Sequence, residues 1–298
     1  MLSRMLCAEL CCYESGYRLE GQSSERSDGT KIVGLRIWRI RIISMFSDLP
    51  LKRLGLSFVA LITIAGFCLA ANASEPDIQA SEVKRRFFIS AFGDESPRAN
   101  RPEYQIVRKF ESKILYGIWT TSSPNINKPY VYDLIESAFT DLSEILPDID
   151  IREAGKEKPN FFVFMFSSFE ERKKKMEKFG HYDDIYSADC SFIFFSNNTS
   201  TITTSIVYLV LSDDKIHMNS CVYSEIVQAL GLPTDSDTFK NSLFNEFDDT
   251  EGIPKLEEVV IKILYDPEIR AGMTAAQVLE VFDGALERAF DSISQRVR

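Results

Sequence analysis

The chain is short of histidine: among 298 residues only His181 and His217 occur. Two imidazoles cannot make the three-histidine set that holds many catalytic zinc ions, so such a centre would need other ligands. No glycine-rich phosphate loop and no Gly-x-Ser-x-Gly elbow is present, which removes two common signs of nucleotide binding and serine hydrolase chemistry. Internal repeats and low-complexity linkers are also missing, so nothing marks a second folded domain. Positive charge is in the minority. The chain has 34 basic and 44 acidic residues, of which 9 and 6 precede position 74, leaving 25 against 38, a net charge of about −13. Nucleic acid and anionic membrane surfaces are therefore not expected partners.

A long uninterrupted apolar run is the last absence. Leu54 to Leu69 is broken by Gly55, Ser57, Thr63 and Gly66, whereas a membrane span wants about 20 predominantly apolar residues. With Lys52 and Arg53 before it and Ala71-Asn72-Ala73 after it, the run has the order of a signal peptide: positive region, apolar core, small residues before the cut. Residues 45–73 are read as that signal, with cleavage after Ala73. An uncleaved, membrane-anchored form is the alternative, and the signal segment is the only expected contact with a membrane. Cys68 follows Phe67 and not a small residue, which argues against lipid attachment. Residues 1–44 hold three cysteines, a tryptophan and no periodic pattern; they are expected to be upstream sequence ahead of a start at Met45, or a disordered extension.

Residues 74–298 are read as one domain, exported to the periplasm or the extracellular space. This length suffices for a proper core. Of six cysteines in the chain it keeps Cys190 and Cys221. An even count in an oxidising compartment favours a disulfide between them, two buried thiols being the alternative.

Elements of both kinds alternate from Ala80 onward. Strands are expected at Arg86–Phe92, Lys113–Thr120, Ile149–Glu153, Asn160–Phe166, Cys190–Phe195 and Ile202–Leu211, the last two forming a hairpin. The run Asn-Phe-Phe-Val-Phe-Met-Phe at 160–166 is so uniformly apolar that it predicts a central strand covered on both faces. Pro129 to Leu146 carries Val131, Leu134, Ile135, Ala138, Phe139, Leu142 and Ile145 at helical spacing. Further helices are expected at Phe169–Phe179, Ser220–Leu230, Leu256–Leu264 and Ala275–Phe290. Asp248 to Gly252 lacks the ligand spacing of a calcium loop and reads as a solvated acidic turn.

The most informative stretch is Cys221 to Asp237, CVYSEIVQALGLPTDSD. In a zinc peptidase helix, two histidines four residues apart bind the metal, the glutamate beside the first is the general base, and a glycine turn brings in a third ligand. In that frame the chain has Ser224 and Gln228 at the ligand positions, Glu225 at the base position, Gly231 at the turn and Thr234 at the third ligand. Asn241 to Glu246 resembles the tight turn beneath the metal in metzincins, with Phe244 in place of methionine. Asp235, Phe244 and Asn245 are therefore candidates for cleft or turn roles. The stretch Leu256–Tyr265 with Asp266-Pro267 resembles the helix that closes a metzincin domain.

At these residues the sequence resembles domain-of-unknown-function family 2927, found in exported bacterial proteins. The family's pattern is matched by Cys221, Glu225, Gln228 to Leu232, Asp235, Ser242 to Asn245, Leu264 to Pro267 and Gly272-Met273. Ser224 stands where the first of the family's paired glutamates is usual. The resemblance implies an α+β, zincin (metzincin)-like domain: a mixed sheet, an active-site-type helix and C-terminal helices. Serine and glutamine are weak, neutral zinc ligands, so neither metal nor cofactor is expected and Glu225 is the sole catalytic candidate. The expected function is a non-catalytic, peptidase-like domain whose partner is a peptide or envelope protein. Two alternatives stand beside it: a hydrolase with an atypical metal set drawn from Glu225, Asp235 and a histidine such as His217, and a structural envelope protein.

Overall fold

A computed structural model describes residues 78–93, 105–120, 128–176, 188–245, 248 and 250–296. The expected signal segment, the 1–44 extension, Ala73 and His181 lie outside the described residues. In chain order the elements are α1 (Ala80–Phe92), β1 (Ile114–Thr120), α2 (Lys128–Ile145), β2 (Ile151–Glu153), β3 (Phe161–Phe166), α3 (Phe169–Met176), β4 (Cys190–Ser196), β5 (Ile202–Val210), α4 (Lys215–Gln228), α5 (Lys255–Leu264) and α6 (Ala275–Arg296).

The sheet has the order β2-β1-β3-β5-β4. Its first four strands run parallel, and β4 pairs antiparallel with β5 as an edge. β3 lies in the middle, as its apolar run predicts, with Val163 level with Ile118 on one side and Val207 on the other. Alternation along the strands then sorts side chains between two faces. Ile114, Tyr116, Phe161, Val163, Val207 and Leu209 point into the main core. There α2 meets them: the Phe139 ring stacks on Tyr116 at 3.9 Å and meets Phe161 edge-on at 5.1 Å. Burying each such ring stabilises the fold by about 1.5–3 kcal/mol.

The opposite face is an aromatic ladder. Trp119 packs on Phe162 and Phe164 at 5.2 and 5.4 Å, and Phe164 stacks on Tyr208 at 6.0 Å. α3 lies against this side, its Arg172 fully buried and donating to the Ala188 carbonyl and the Ser191 hydroxyl. Among the described residues no helix is long and apolar enough to cross a membrane.

One expected element is of the wrong kind. Arg86–Phe92, read as a strand, is the second half of helix α1. Phe87-Phe88-Ile89 is too short a window to separate the two periods. The full segment does so: Val83, Phe87 and Ala91 recur every four residues and are buried, and Glu82 pairs with Arg85 and Arg86 at three and four residues' distance. α4 begins five residues earlier than expected, and α6 runs on to Arg296.

Cys190 and Cys221 form the expected disulfide, which ties edge strand β4 to α4 across a separation of 31 residues. Closing a loop of that size stabilises the fold by about 3–4 kcal/mol on the chain-entropy account.

Candidate functional site

Helix α4 carries Ser224, Glu225 and Gln228 of the stretch expected to form a peptidase-like frame, and its start is set by Asp214. The Asp214 carboxylate accepts from the amides of Ile216 and His217 at 3.1 and 3.2 Å, an N-cap that satisfies two otherwise unpaired donors. The helix ends at Gln228, and the turn after it holds Gly231, whose φ of +122° is open to glycine and not to a side chain. A Cβ there would lie 1.8 Å from the Arg108 carbonyl oxygen, so a second constraint also requires glycine. The Gly231 and Leu232 amides both donate to the Gln228 carbonyl, at 3.0 and 3.1 Å, turning the chain sharply.

The residues at the three ligand positions are engaged with protein groups. Ser224 donates to the Cys221 carbonyl one turn back, at 3.3 Å. Gln228 is buried and its amide nitrogen donates to the Asp235 carboxylate. Thr234 donates through its hydroxyl to the Gly93 carbonyl at 3.0 Å, and its amide donates to the Ser90 carbonyl at 3.2 Å. The end of α1 thus lies directly on the third position; a Cβ on Gly93 would come within 2.8 Å of the Thr234 methyl. Glu225 is half-buried between Ser224 and the buried Ile226. Three neutral side chains, two of them committed to other elements, do not fit a zinc ion.

The turn beneath the helix is built from the other candidates. The Ser236 amide donates to the Phe244 carbonyl at 2.7 Å, and the Phe244 amide to the Ser242 hydroxyl at 3.1 Å. Phe244 is fully buried, and Asn245 donates its side-chain amide to the Phe239 carbonyl. Asp235, Phe244 and Asn245 therefore belong to one closed loop whose contact with α4 is Gln228.

A buried ion pair supports that loop and carried no distinctive mark in the sequence. Arg86 of α1 donates to Glu257 of α5 and to the Lys240 carbonyl at 2.9 Å, and Ser242 donates to the same Glu257 oxygen at 2.6 Å. Burial pushes the Glu257 carboxyl above the ordinary glutamate range, against the opposing pull of Arg86 and Ser242. Hydrogen bonds and charge from Arg85, with a further contribution from Arg86, hold Glu82 down at about 2 despite partial burial. Arg86, Glu257, Glu82, Lys240, Asn241 and Lys255 are among the residues lining a cleft of about 430 Å³. Its walls bring the exposed Lys240 and Lys255 together with the carboxylates of Glu82 and Glu257, and Arg86 is held between those two carboxylates.

The Leu264–Pro267 and Gly272-Met273 motifs have structural partners. Lys109 is buried and donates to the carbonyls of Leu264, Asp266 and Ile269, at 3.1 and 3.3 Å for the first two. Burial lowers its ammonium to about 8. Asp266 receives a two-pronged bond from Arg288 at 2.7 and 2.8 Å. Val107 and the 272–273 turn exchange backbone bonds at 2.8 and 2.9 Å.

His217 lies at the other end of α4. Its Nε2 is 3.0 Å from the Asp189 carboxylate and 3.5 Å from the Cys221 sulfur. Eight residues separate it from Glu225, about 12 Å along a helix, so the structure does not bring His217, Glu225 and Asp235 together.

A family model described as "Protein of unknown function (DUF2927)" matches residues 80–284. No curated protein and no solved structure matches the chain.

Proposed function

The chain belongs to the DUF2927 family, and from that premise we propose that it is an exported, non-catalytic domain with a metzincin-like frame that binds a peptide or an envelope protein. The observation that carries the reading is the internal use of the ligand positions: Gln228 is bonded to Asp235, and Thr234 to Gly93. A side chain held in this way must break a hydrogen bond before it can serve a metal or a substrate, and each such bond is worth about 0.5–1.5 kcal/mol. The mixed sheet, with a helix after β5 carrying the frame, supports the metzincin-like assignment. The Lys52 to Ala73 pattern supports export, and the Cys190–Cys221 disulfide is compatible with it.

On this reading the exposed Lys240 and Lys255 at that cleft receive carboxylate groups of the partner. A single domain then spans 74–298, with Ser74 as its first residue after cleavage. Glu225 serves the packing of α4 and not proton transfer.

The test uses the protein recovered from its exporting host, kept oxidised. Mass spectrometry is expected to find Ser74 at the amino terminus. Elemental analysis should give far less than stoichiometric zinc, and a peptide library should pass uncleaved while acidic peptides are retained. Stoichiometric zinc that Gln228→Leu removes, together with peptide cleavage, would overturn the reading.

A further inference from the structure

The amino-terminal end of α4 gathers side chains of another chemistry. Cys221 and His217 are four residues apart on one helix, so both face β4, where Cys190 and Asp189 stand side by side at the start of the edge strand. The two sulfurs and a ring nitrogen of His217 lie within 4.8 Å of one another. His217 Nε2 is 3.5 Å from the Cys221 sulfur and 3.0 Å from an Asp189 oxygen.

The His217–Cys221 separation matches one edge of a tetrahedral site: zinc–sulfur bonds of about 2.3 Å and zinc–nitrogen bonds of about 2.0–2.1 Å place neighbouring sulfur and nitrogen ligands about 3.6 Å apart. Asp189 touches His217 and stands outside the set of three mutually close ligand atoms. The two sulfurs are bonded to each other and must part before both can take an ion.

We propose that Cys190, Cys221 and His217 form a redox-gated site for a soft divalent cation, zinc in the first instance, which exists only when the disulfide is open, with solvent as the fourth ligand and Asp189 beside His217. Opening takes two electrons and two protons from a dithiol reductant, which is oxidised to its own disulfide. Each cysteine sulfur then carries a proton, and the incoming ion displaces both protons to solvent as two thiolates coordinate it. In the oxidised protein His217 alone of the three remains, too few ligands to hold the ion. Entry is open from solvent, since the His217 and Asp189 side chains are 39% and 45% exposed while the sulfurs lie beneath them. The ion would cross-link β4 to α4 at the place where the disulfide does, so the chain keeps a staple in a reducing as well as an oxidising compartment.

The experiment compares the exported, processed protein, whose cysteines are Cys190 and Cys221, oxidised and after phosphine reduction under argon, water supplying the oxygen as the phosphine is converted to its oxide. Excess reductant is removed before Zn²⁺ or Co²⁺ is added. About one ion per chain is expected in the reduced protein and less than a tenth of that in the oxidised one. Co²⁺ should show thiolate charge-transfer absorption with the intense ligand-field bands of a tetrahedral site. His217→Ala should weaken binding at least about tenfold, and a Cys190→Ser, Cys221→Ser double variant should bind no ion in either state. Equal binding by oxidised protein, undiminished binding in His217→Ala, or a reduced chain that zinc neither binds nor keeps folded by circular dichroism would each sink the proposal. A second ion, bound by the oxidised protein as well and lost through Gln228→Leu while the redox-gated ion still depends on His217, would strike only at the non-catalytic reading of the frame, so the two failures are distinct.

Discussion

The two ends of α4 invert each other. At its carboxyl end the sequence spacing resembles that of a metal site while the residues, Ser224, Gln228 and Thr234, are poor ligands held in protein hydrogen bonds. Towards its amino end the residues are good ligands, His217, Cys221 and Cys190, and a covalent bond between two of them keeps them from a metal. Residue type and residue geometry are separate requirements for a site. A motif scan sees only their coincidence along the chain, whereas Asp189 and Cys190 reach His217 from another element.

The sharpest way to break the comparison is at the carboxyl end. Gly231→Ala forces a Cβ into the Arg108 carbonyl in a backbone region reserved for glycine, and a loss of about 4 kcal/mol or more is expected in denaturant unfolding. A loss below about 1 kcal/mol would mean that this end is not pinned. At the amino end, replacing both Cys190 and Cys221 by alanine should cost about 3–4 kcal/mol under oxidising conditions. Under reducing, metal-free conditions the same change should cost little, because the staple is already open.

Gln228→Leu is a smaller intervention. It deprives the Asp235 carboxylate of one donor and should cost about 1–3 kcal/mol. A double-mutant cycle with Asp235→Asn should show the two changes to be coupled, and additivity would count against the bond as the tie between helix and loop. The smallest effect concerns pH. Glu82, held at about 2, stays ionised in the folded chain while the unfolded chain takes up its proton near 4.5. Its contribution is therefore complete above pH 4.5 and is lost as pH falls from there towards 2. Glu82→Gln should flatten the dependence of melting temperature on pH in that window alone; an unchanged slope would mean that Arg85 and Arg86 do not perturb it.

Much of the sheet was legible in the sequence, for a physical reason. β1 and β3 to β5 are half-buried or buried strands whose patterns complete within six to nine residues, and β3 is as central as its apolar run implies. α2 was equally plain, with seven apolar residues at helical spacing. α1 was not, because Phe87-Phe88-Ile89 reads as a strand until Val83 and the Glu82 pairings are included. The disulfide could be inferred from a cysteine count once the first 73 residues were set aside. The Arg86–Glu257 pair could not: 171 residues separate the partners, and each sits in a helix pattern that gives no sign of the other. Spacing along the chain singled out Thr234, but it gave no sign that the Thr234 hydroxyl donates to a carbonyl at the end of α1, 141 residues away. Local periodicity writes elements into a sequence; polar pairings between distant elements leave no periodic trace.

The aromatic ladder on the outer sheet face has a spectroscopic consequence. The chain has two tryptophans, Trp38 and Trp119, so removal of residues 1–73 leaves a single emitter. That emitter is wedged against Phe162 and Phe164 at the end of β1. The emission maximum of the processed protein is thus a local gauge of one sheet face, nearly blind to events at α4. Paired with far-ultraviolet dichroism, it can tell whether opening the Cys190–Cys221 bond loosens only the β4 edge or the whole sheet.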